Sequence, residues 1–378
     1  MGKINANPGE KTEYGRNLRV LVAPLDWGLG HATRCIPIIQ HLVSRGVTVF
    51  LAGTGAQEHL LRTEFPELPF LQLPGYDIRY AKTGSGMPWR LAAQVPRILK
   101  AIRTEHRWLK NAVRENNLHG VVSDNRYGLY HSDIPAVFMT HQLQIRSGLG
   151  RWLDKQILSM NYRYIRKFDA CWVPDNHSAP GLAGELSHPM ALPGIPVHYL
   201  GPLSRFEQRE VDQKPGHLLV LLSGPEPQRT YFENAIVRQI SHYNGTATVV
   251  RGLPDSDKLL PSTRDLVFYN HLPANLLNDE ILKAEYIISR SGYTTIMDLA
   301  KLGRKAIMVP TPGQAEQEYL AAHMSAEKRA VISEQHDFNL IRSLLLARGY
   351  PYEVSTIGNS ATLHQIIDGF LEKISRKQ

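Results

Sequence analysis

Twice along this chain an uninterrupted apolar run ends in a glycine-bearing turn and passes straight into a helical stretch. LRVLVAP (18–24) leads into Asp26-Trp27-Gly28-Leu29-Gly30-His31-Ala32-Thr33-Arg34, and HLLVLLSG (217–224) leads into Pro225-Glu226-Pro227-Gln228-Arg229. An apolar run without polar alternation is a strand buried on both faces. A series of such strands alternating with helices builds a parallel sheet with helices on both sides. The first half continues with VTVFLAG (47–53), GVVSD (120–124), PAVFMT (135–140) and ACWVP (170–174), with helices expected near 33–45, 89–115 and 151–167. The second half continues with TATVVRG (246–252), DLVFYN (265–270), EYIISR (285–290) and KAIMVP (305–310), with helices expected at 228–241, 293–302 and 315–328.

Between the two series lies SRFEQREVDQKPG (204–216), polar and without an apolar period. The expected organisation is therefore α/β: two doubly wound, Rossmann-like domains facing across a cleft. The first covers 1–203, a linker covers 204–216, and the second covers 217–360. The segment 361–378 carries Leu363, Ile366, Ile367, Phe370, Leu371 and Ile374 at helical spacing and is expected to pack back on the first domain. A length of 378 residues with 43% hydrophobic side chains suffices for two cores.

Composition removes several function classes. No run approaches the roughly 18 apolar residues of a membrane helix, and the polar first 17 residues lack the apolar centre of a signal peptide. The only cysteines are Cys35 and Cys171, too few for a disulfide framework or a cysteine-rich zinc site. A cytoplasmic location is expected. The net charge of +8 is confined to one half: residues 1–203 hold 23 Lys and Arg against 15 Asp and Glu, whereas 204–378 hold 20 of each. A basic half calls for an anionic partner. Arg90, Arg97, Lys100, Arg103, Arg107, Lys110 and Arg114 interleave with apolar residues across 89–114, and Arg146, Arg151, Trp152, Lys155, Arg163, Arg166 and Lys167 do so across 146–167. Such stretches are either solvated faces over a core or surfaces for anionic lipid. The sequence holds no nucleic-acid motif, and nucleic acid is not expected as a partner.

In doubly wound sheets ligands bind beyond the carboxyl ends of the strands, so the turns there carry the functional candidates. Gly28 and Gly30 let backbone approach a ligand, and the following helix start offers free N–H groups to an anion. The third glycine of a dinucleotide fingerprint is absent. His31 at this helix start is a candidate general base, with Arg34 a candidate phosphate contact. Asp124 closes the strand GVVSD and would face the same cleft, placed to orient the imidazole or simply to make a turn. In the second half Ser223, Gly224 and Arg229 follow the first strand as a candidate phosphate turn. Ser291, Gly292, Tyr293 and Thr294 form a second helix start, Asp298 lies one turn further on where a ribose could meet it, and Gln314, Gln317 and Glu318 sit in the next polar loop. Asp255-Ser256-Asp257 is a literal Asp-x-Asp in a polar loop; a metal role is not expected.

The run Ser289-Arg290-Ser291-Gly292, with Thr295, Asp298, Gly303, Ile307, Val309-Pro310 and Gln317-Glu318-Tyr319 at their spacings, resembles the donor-binding segment of GT-B glycosyltransferases of family 28. The form Gly28-Leu29-Gly30-His31-Ala32-Thr33-Arg34 is similar both to that family's first loop and to the GxGHxxR of UDP-sugar hydrolases. The resemblance implies that His31 deprotonates an acceptor hydroxyl. It further implies that Ser291, Gly292 and the Tyr293–Thr294 backbone hold a donor diphosphate. Asp298 would take the ribose, where the family usually has Glu, and the Leu272 backbone would meet the uracil. Gln317 and Glu318 would touch the donor sugar, where the lipid II enzyme has two glutamines. The implied activity is transfer of a sugar from a UDP-sugar to a hydroxyl acceptor, glycan or lipid-linked, at the inner face of a membrane. No cofactor or metal is implied. The Glu-x7-Glu pair of retaining relatives is absent, which points to inversion. Two readings stand beside this one: a UDP-sugar hydrolase or epimerase of the same fold, and a non-catalytic sugar-nucleotide-binding subunit.

Overall fold

The computed structural model describes residues 18–76, 87–145, 150–254, 256–354, 356 and 360–377, with backbone alone at 87–95 and 151. The first sheet contains β1 (Arg19–Pro24), β2 (Thr48–Gly53), β3 (Phe70–Gln72), β4 (Gly120–Asp124), β5 (Ala136–Met139), β6 (Ala170–Val173) and β7 (Val197–Tyr199). Its order is β3-β2-β1-β4-β5-β6-β7, and every pairing is parallel. Helices α1 (Leu29–Ser44), α2 (Ala56–Glu64), α3 (Met87–Asn116) and α4 (Arg151–Ile165) connect these strands.

The second sheet contains β8 (His217–Leu221), β9 (Thr246–Val250), β10 (Leu266–Tyr269), β11 (Tyr286–Ser289), β12 (Ala306–Met308) and β13 (Ala330–Ile332), in the parallel order β10-β9-β8-β11-β12-β13. Its helices are α5 (Gln228–Ile240), α6 (Ala274–Lys283), α7 (Tyr293–Lys301), α8 (Ala315–Ala326) and α9 (Leu340–Gly349). The architecture is two Rossmann-like α/β domains.

The apolar runs become the central strands because both faces are covered. All five residues of β4 and the last five of β1 are buried. The elements that patterning did not reveal are the short or marginal ones: α2, β3, β7, α6, β13 and α9. Three-residue strands such as β3 carry too few positions for a period to register. Helix α1 starts at Leu29, four residues before the expected 33, because Gly28 supplies the break. Its φ of +87° is a backbone state that side chains disfavour.

Helix α10 (Ser360–Ser375) crosses back to the first domain, with Leu363, Ile367, Phe370, Leu371 and Ile374 buried. Phe370 meets Trp172 edge-on, with centroids 5.5 Å apart. A side chain at Gly120 would collide with Ile374 and Phe370. Asp368 pairs with Arg45 and with His41 Nε2, the latter at 2.8 Å. The segment between the sheets is irregular but held along α6. Glu207 N–H donates to Asn278 Oδ1, and Asn278 Nδ2 donates back to the Glu207 carbonyl. Lys214 N–H donates to the Lys283 carbonyl. Leu203 and Phe206 are buried in a cluster that runs through both domains.

Candidate active site at the domain interface

Both sheets reverse direction at their first strand: β1 lies between β2 and β4, and β8 lies between β9 and β11. At such a reversal the flanking connections leave to opposite faces and open a crevice. The turn after β1 carries Gly28 to His31, and β4 ends in Asp124. The turn after β8 carries Ser223 and Gly224, and the turn after β11 carries Ser291 and Gly292. The two crevices face each other, and the helix starts beyond them touch. Thr294 Oγ1 donates to the Gly30 carbonyl at 3.2 Å. Neither α1 nor α7 has a side chain capping its N-terminus, so the first-turn N–H groups of both point into this junction.

Asp124 has no exposed surface and lies at the centre of a charge cluster. Arg34, also buried, donates Nε to Asp124 Oδ2 at 2.9 Å and Nη2 to Oδ1. His31 Nδ1 lies 2.9 Å from Asp124 Oδ2. Arg34 Nη2 also lies 2.9 Å from Nδ1, so the tautomer with its proton on Nε2 accepts from Arg34, whereas the one with its proton on Nδ1 donates to the carboxylate and leaves Nε2, unpartnered among the described residues, free to take a proton. Burial alone would raise the Asp124 carboxyl, but Arg34 and His31 outweigh it and hold its pKa at about 2. Burial and then the Arg34 charge push His31 below its ordinary 6.5, against the smaller upward pull of Asp124. The result is a neutral, oriented imidazole at neutral pH.

Arg34 was expected at a phosphate and is not free for one: its guanidinium is spent on neutralising Asp124. Arg229 is likewise buried, donating to Glu226 at 2.6 Å and Glu233 at 3.0 Å beneath the turn it was expected to serve. In both cases a neighbouring buried carboxylate claims the cation.

The remaining candidates gather at the second crevice. Ser223 and Gly224 form an exposed turn. Ser291 is buried, with its hydroxyl on the Gln317 carbonyl at 2.7 Å. Tyr293 reaches the first domain, donating to the Pro174 carbonyl at 2.7 Å. Asp298 is half-buried. Ser204 of the connecting segment donates to its Oδ1, and burial raises its pKa to about 7. The side chain of Leu272 belongs to the core, as a backbone contact at that position allows. The polar loop is braced internally: Gln317 Oε1 accepts from Thr311 N–H at 2.9 Å, Gln317 Nε2 donates to Gln314 Oε1 at 2.6 Å, and Glu318 Oε1 accepts from Gly313 N–H at 2.8 Å.

One residue escaped the sequence reading. His141, just beyond β5, stacks on Tyr293 with centroids 4.2 Å apart. Its Nδ1 lies 3.2 Å from Arg34 Nη1, and its Nε2 lies 2.8 Å from Glu316 Oε1 of the second domain. The signal was the one used for Asp124, a polar residue where an apolar strand ends. The basic stretches are resolved in part. Arg97, Lys100, Arg103, Arg107, Lys110 and Arg114 are all exposed on one face of α3; of its two acids Glu105 turns inward to Arg126 and Glu115 is exposed at the last turn. Lys155 and Arg163 are exposed on α4 beside Trp152, 74% exposed, and Met160, and Arg166 and Lys167 are exposed just past its end. Arg146 and Asp255 lie outside the described residues, as do the Arg90 and Arg151 side chains. Among the described residues no helix is long and apolar enough to cross a membrane.

Two outcomes follow from this geometry. A Cβ on Gly30 would stand 2.7 Å from Thr294 Oγ1. Gly30→Ala should therefore cost about 1–3 kcal/mol by overpacking, and Thr294→Ala in the same chain should recover most of it; thermal unfolding of the three variants decides. In an NMR titration His31 should protonate below pH 6.5. Asp124→Asn should move it lower still, because the main nearby charge that favours the imidazolium is gone; a rise would contradict the arrangement described.

Comparison with known proteins agrees with this architecture. Residues 273–351 match the glycosyltransferase family 28 C-terminal domain. A 77-residue stretch is 39% identical to the UDP-N-acetylglucosamine--N-acetylmuramyl-(pentapeptide) pyrophosphoryl-undecaprenol N-acetylglucosamine transferase of Rhodopseudomonas palustris, covering 20% of this chain and 19% of that protein. The match therefore spans about a fifth of that relative's length. An uncharacterized glycosyltransferase of Methanosarcina acetivorans is 23% identical over 82% of this chain and 84% of its own. Among solved structures, the spinosyn rhamnosyltransferase SpnG complexed with thymidine diphosphate superposes with a TM-score of 0.60 at 13% identity, over 95% of this chain and 96% of that one. The chain has the two-domain GT-B fold of glycosyltransferases, and residues 273–351 of its second domain match the family 28 C-terminal domain.

Proposed function

We propose that this protein is a glycosyltransferase that moves a sugar from a nucleoside-diphosphate sugar, a UDP-sugar by preference, to a hydroxyl of a lipid-linked or envelope glycan. The observation that carries this reading is the junction of two uncapped helix N-termini beside a neutral His31 held by a buried Asp124. A sugar nucleotide has a good leaving group and a weak alcohol nucleophile. His31 Nε2 takes the acceptor's proton as the oxygen attacks. The N–H groups at Gly292 to Thr294 balance charge growing on the departing diphosphate. Attack from the side opposite the diphosphate inverts the anomeric centre. The relatives' names supply the substrate classes: one uses UDP-N-acetylglucosamine and a pyrophosphoryl-undecaprenol acceptor. Donor binding requires the Gly30–Thr294 contact to part and re-form, a gating step common in two-domain enzymes.

Asp298 is the ribose carboxylate in this reading. Its pKa of about 7 in the free protein then couples binding to pH. Diol hydroxyls donate to the ionised form, so part of the binding energy deprotonates Asp298 at low pH. UDP affinity should rise about tenfold between pH 6 and 8, and Asp298→Asn should flatten that slope. The first experiment is thermal stabilisation by UDP, dTDP, GDP, CMP and ADP, followed by UDP release from UDP-sugars with and without a lipid-diphosphate acceptor. We expect a UDP-selective shift, acceptor-dependent release, and a loss of about 10²–10⁴ in turnover for His31→Ala with UDP stabilisation retained. Release at full rate without acceptor would make the protein a hydrolase. Binding without release would make it a non-catalytic subunit.

The acceptor side belongs to the basic first domain. The six α3 cations recur at intervals of three and four residues and line about 25 Å of one face at 1.5 Å per residue. Exposed Trp152 and Met160 add apolar groups to the cationic face of α4, a combination suited to an anionic bilayer surface. The protein should co-sediment with vesicles containing phosphatidylglycerol and not with neutral ones. Charge reversal at Arg103, Arg107 and Lys110 should abolish this while leaving UDP stabilisation intact.

A further inference from the structure

We infer that the Thr311 hydroxyl is a contact for the transferred sugar and helps select which nucleotide sugar is used; the inference rests on the donor-site reading above. Thr311 follows β12, and the turn after β8 lies two strands away across the end of β11. The residue is 1% exposed, and its Oγ1 has no hydrogen-bond partner among the described residues. A buried hydroxyl left unpaired costs folding free energy and is uncommon in native proteins.

Its surroundings make the vacancy specific. Every other polar side chain that the loop offers is engaged. Gln317 holds Thr311 N–H and Gln314, Glu318 holds Gly313 N–H, Glu316 holds His141, and Ser291 holds the Gln317 carbonyl. The Thr311 backbone is fixed at both ends, since its carbonyl also accepts from Gln314 N–H at 3.1 Å. The hydroxyl is thus held in place with nothing to bind. On its open side stands Gly224, whose φ is +105° and whose missing side chain, if present, would lie 3.8 Å from Thr311 Oγ1. The hydroxyl is buried beneath an exposed glycine turn with no side chain over it, so a ligand reaches it by displacing that turn.

The chemistry favours a neutral sugar hydroxyl over a phosphate oxygen. Among the described residues the cations near this point direct most of their N–H groups elsewhere, with Arg290 Nε alone left without a partner. The Arg290 guanidinium is turned to the carbonyls of Val309, Pro310 and Gln228 and to Gln335, and Arg229 is paired with two glutamates. A hydroxyl that both donates and accepts matches a sugar hydroxyl that does the same. Of the side chains that the family pattern assigns to the sugar, Gln317 is occupied in bracing the loop and Glu318 keeps only accepting capacity beyond its bond to Gly313 N–H, so Thr311 adds a group beside them that can both donate and accept.

The test compares Thr311→Val and Thr311→Ser with the unaltered full-length chain. Dissociation constants are measured for UDP, UDP-glucose, UDP-galactose and UDP-N-acetylglucosamine. Thr311→Val should leave UDP binding within about twofold and weaken the best-bound UDP-sugar about five- to tenfold, as the loss of one neutral hydrogen bond does. Thr311→Ser should restore it. The ligand-free melting temperature of Thr311→Val should hold or rise, because the variant removes an unpaired buried hydroxyl. Equal weakening of UDP and UDP-sugar would move the contact to the diphosphate and overturn the inference, as would no change in either. If the unaltered chain binds no nucleotide and no nucleotide sugar, the donor-site reading fails first and this inference falls with it. UDP binding by the unaltered chain keeps the two failures distinct.

Discussion

A carboxylate without solvent contact cannot stay ionised unless something compensates it, and the active-site architecture follows from how Asp124 is compensated. Two hydrogen bonds from Arg34 and one contact with His31 hold its charge, and the same bonds fix the first turns of α1 against the end of β4. The cost of burying one charge is met by burying its partner alongside. The base beside the pair is not made strongly basic, because Arg34 has already cancelled most of the field that Asp124 would exert on it. The protein thereby obtains an oriented imidazole that is neutral where a weak alcohol nucleophile needs it.

The second domain repeats this use of a strand reversal without repeating its residues. In the first domain the reversal delivers a histidine and its carboxylate. In the second it delivers a glycine turn, a buried serine and an uncapped helix start. Two parallel sheets with the same strand order present their reactive ends to one another, so each helix start lends its N–H groups to a single junction. The aligned ends of α1 and α7 would repel across this gap if nothing negative lay between them, since each carries partial positive charge. The Gly30 carbonyl accepting from Thr294 supplies part of that negative density in the free protein, and an anionic ligand would supply more.

Much of this was legible in the sequence, because the residues that matter most terminate apolar runs. Val121 and Val122 mark a buried strand, and an aspartate at its end has nowhere to point except the crevice. The surroundings of the arginines were not legible for a physical reason. Whether a guanidinium is free depends on which carboxylates the fold brings to it, and Arg34 meets Asp124 across 90 positions of chain. His141 was missed although its setting resembles that of Asp124, because its partners Glu316 and Tyr293 come from the other domain. Marginal elements such as β3 and α2 gave little periodic signal. The clustering of positive charge in one half needed only counting, but its concentration on one face of α3 depends on Glu105 turning inward to Arg126.

The interdomain contacts tie closure to the electrostatics of the base. Glu316 enters from the second domain and meets His141, which touches the same guanidinium that pairs with Asp124. His141, His31 and Arg34 together pull the Glu316 carboxyl below its ordinary range against the upward effect of burial. The attraction is mutual: a carboxylate stabilised by nearby imidazoles and a guanidinium stabilises their cationic forms in return. Parting the domains would remove that negative charge from the base's surroundings and leave Arg34 a larger net influence on His31. That loss is set against the hydration His31 would gain on parting, because burial is the largest influence holding its pKa below the ordinary value.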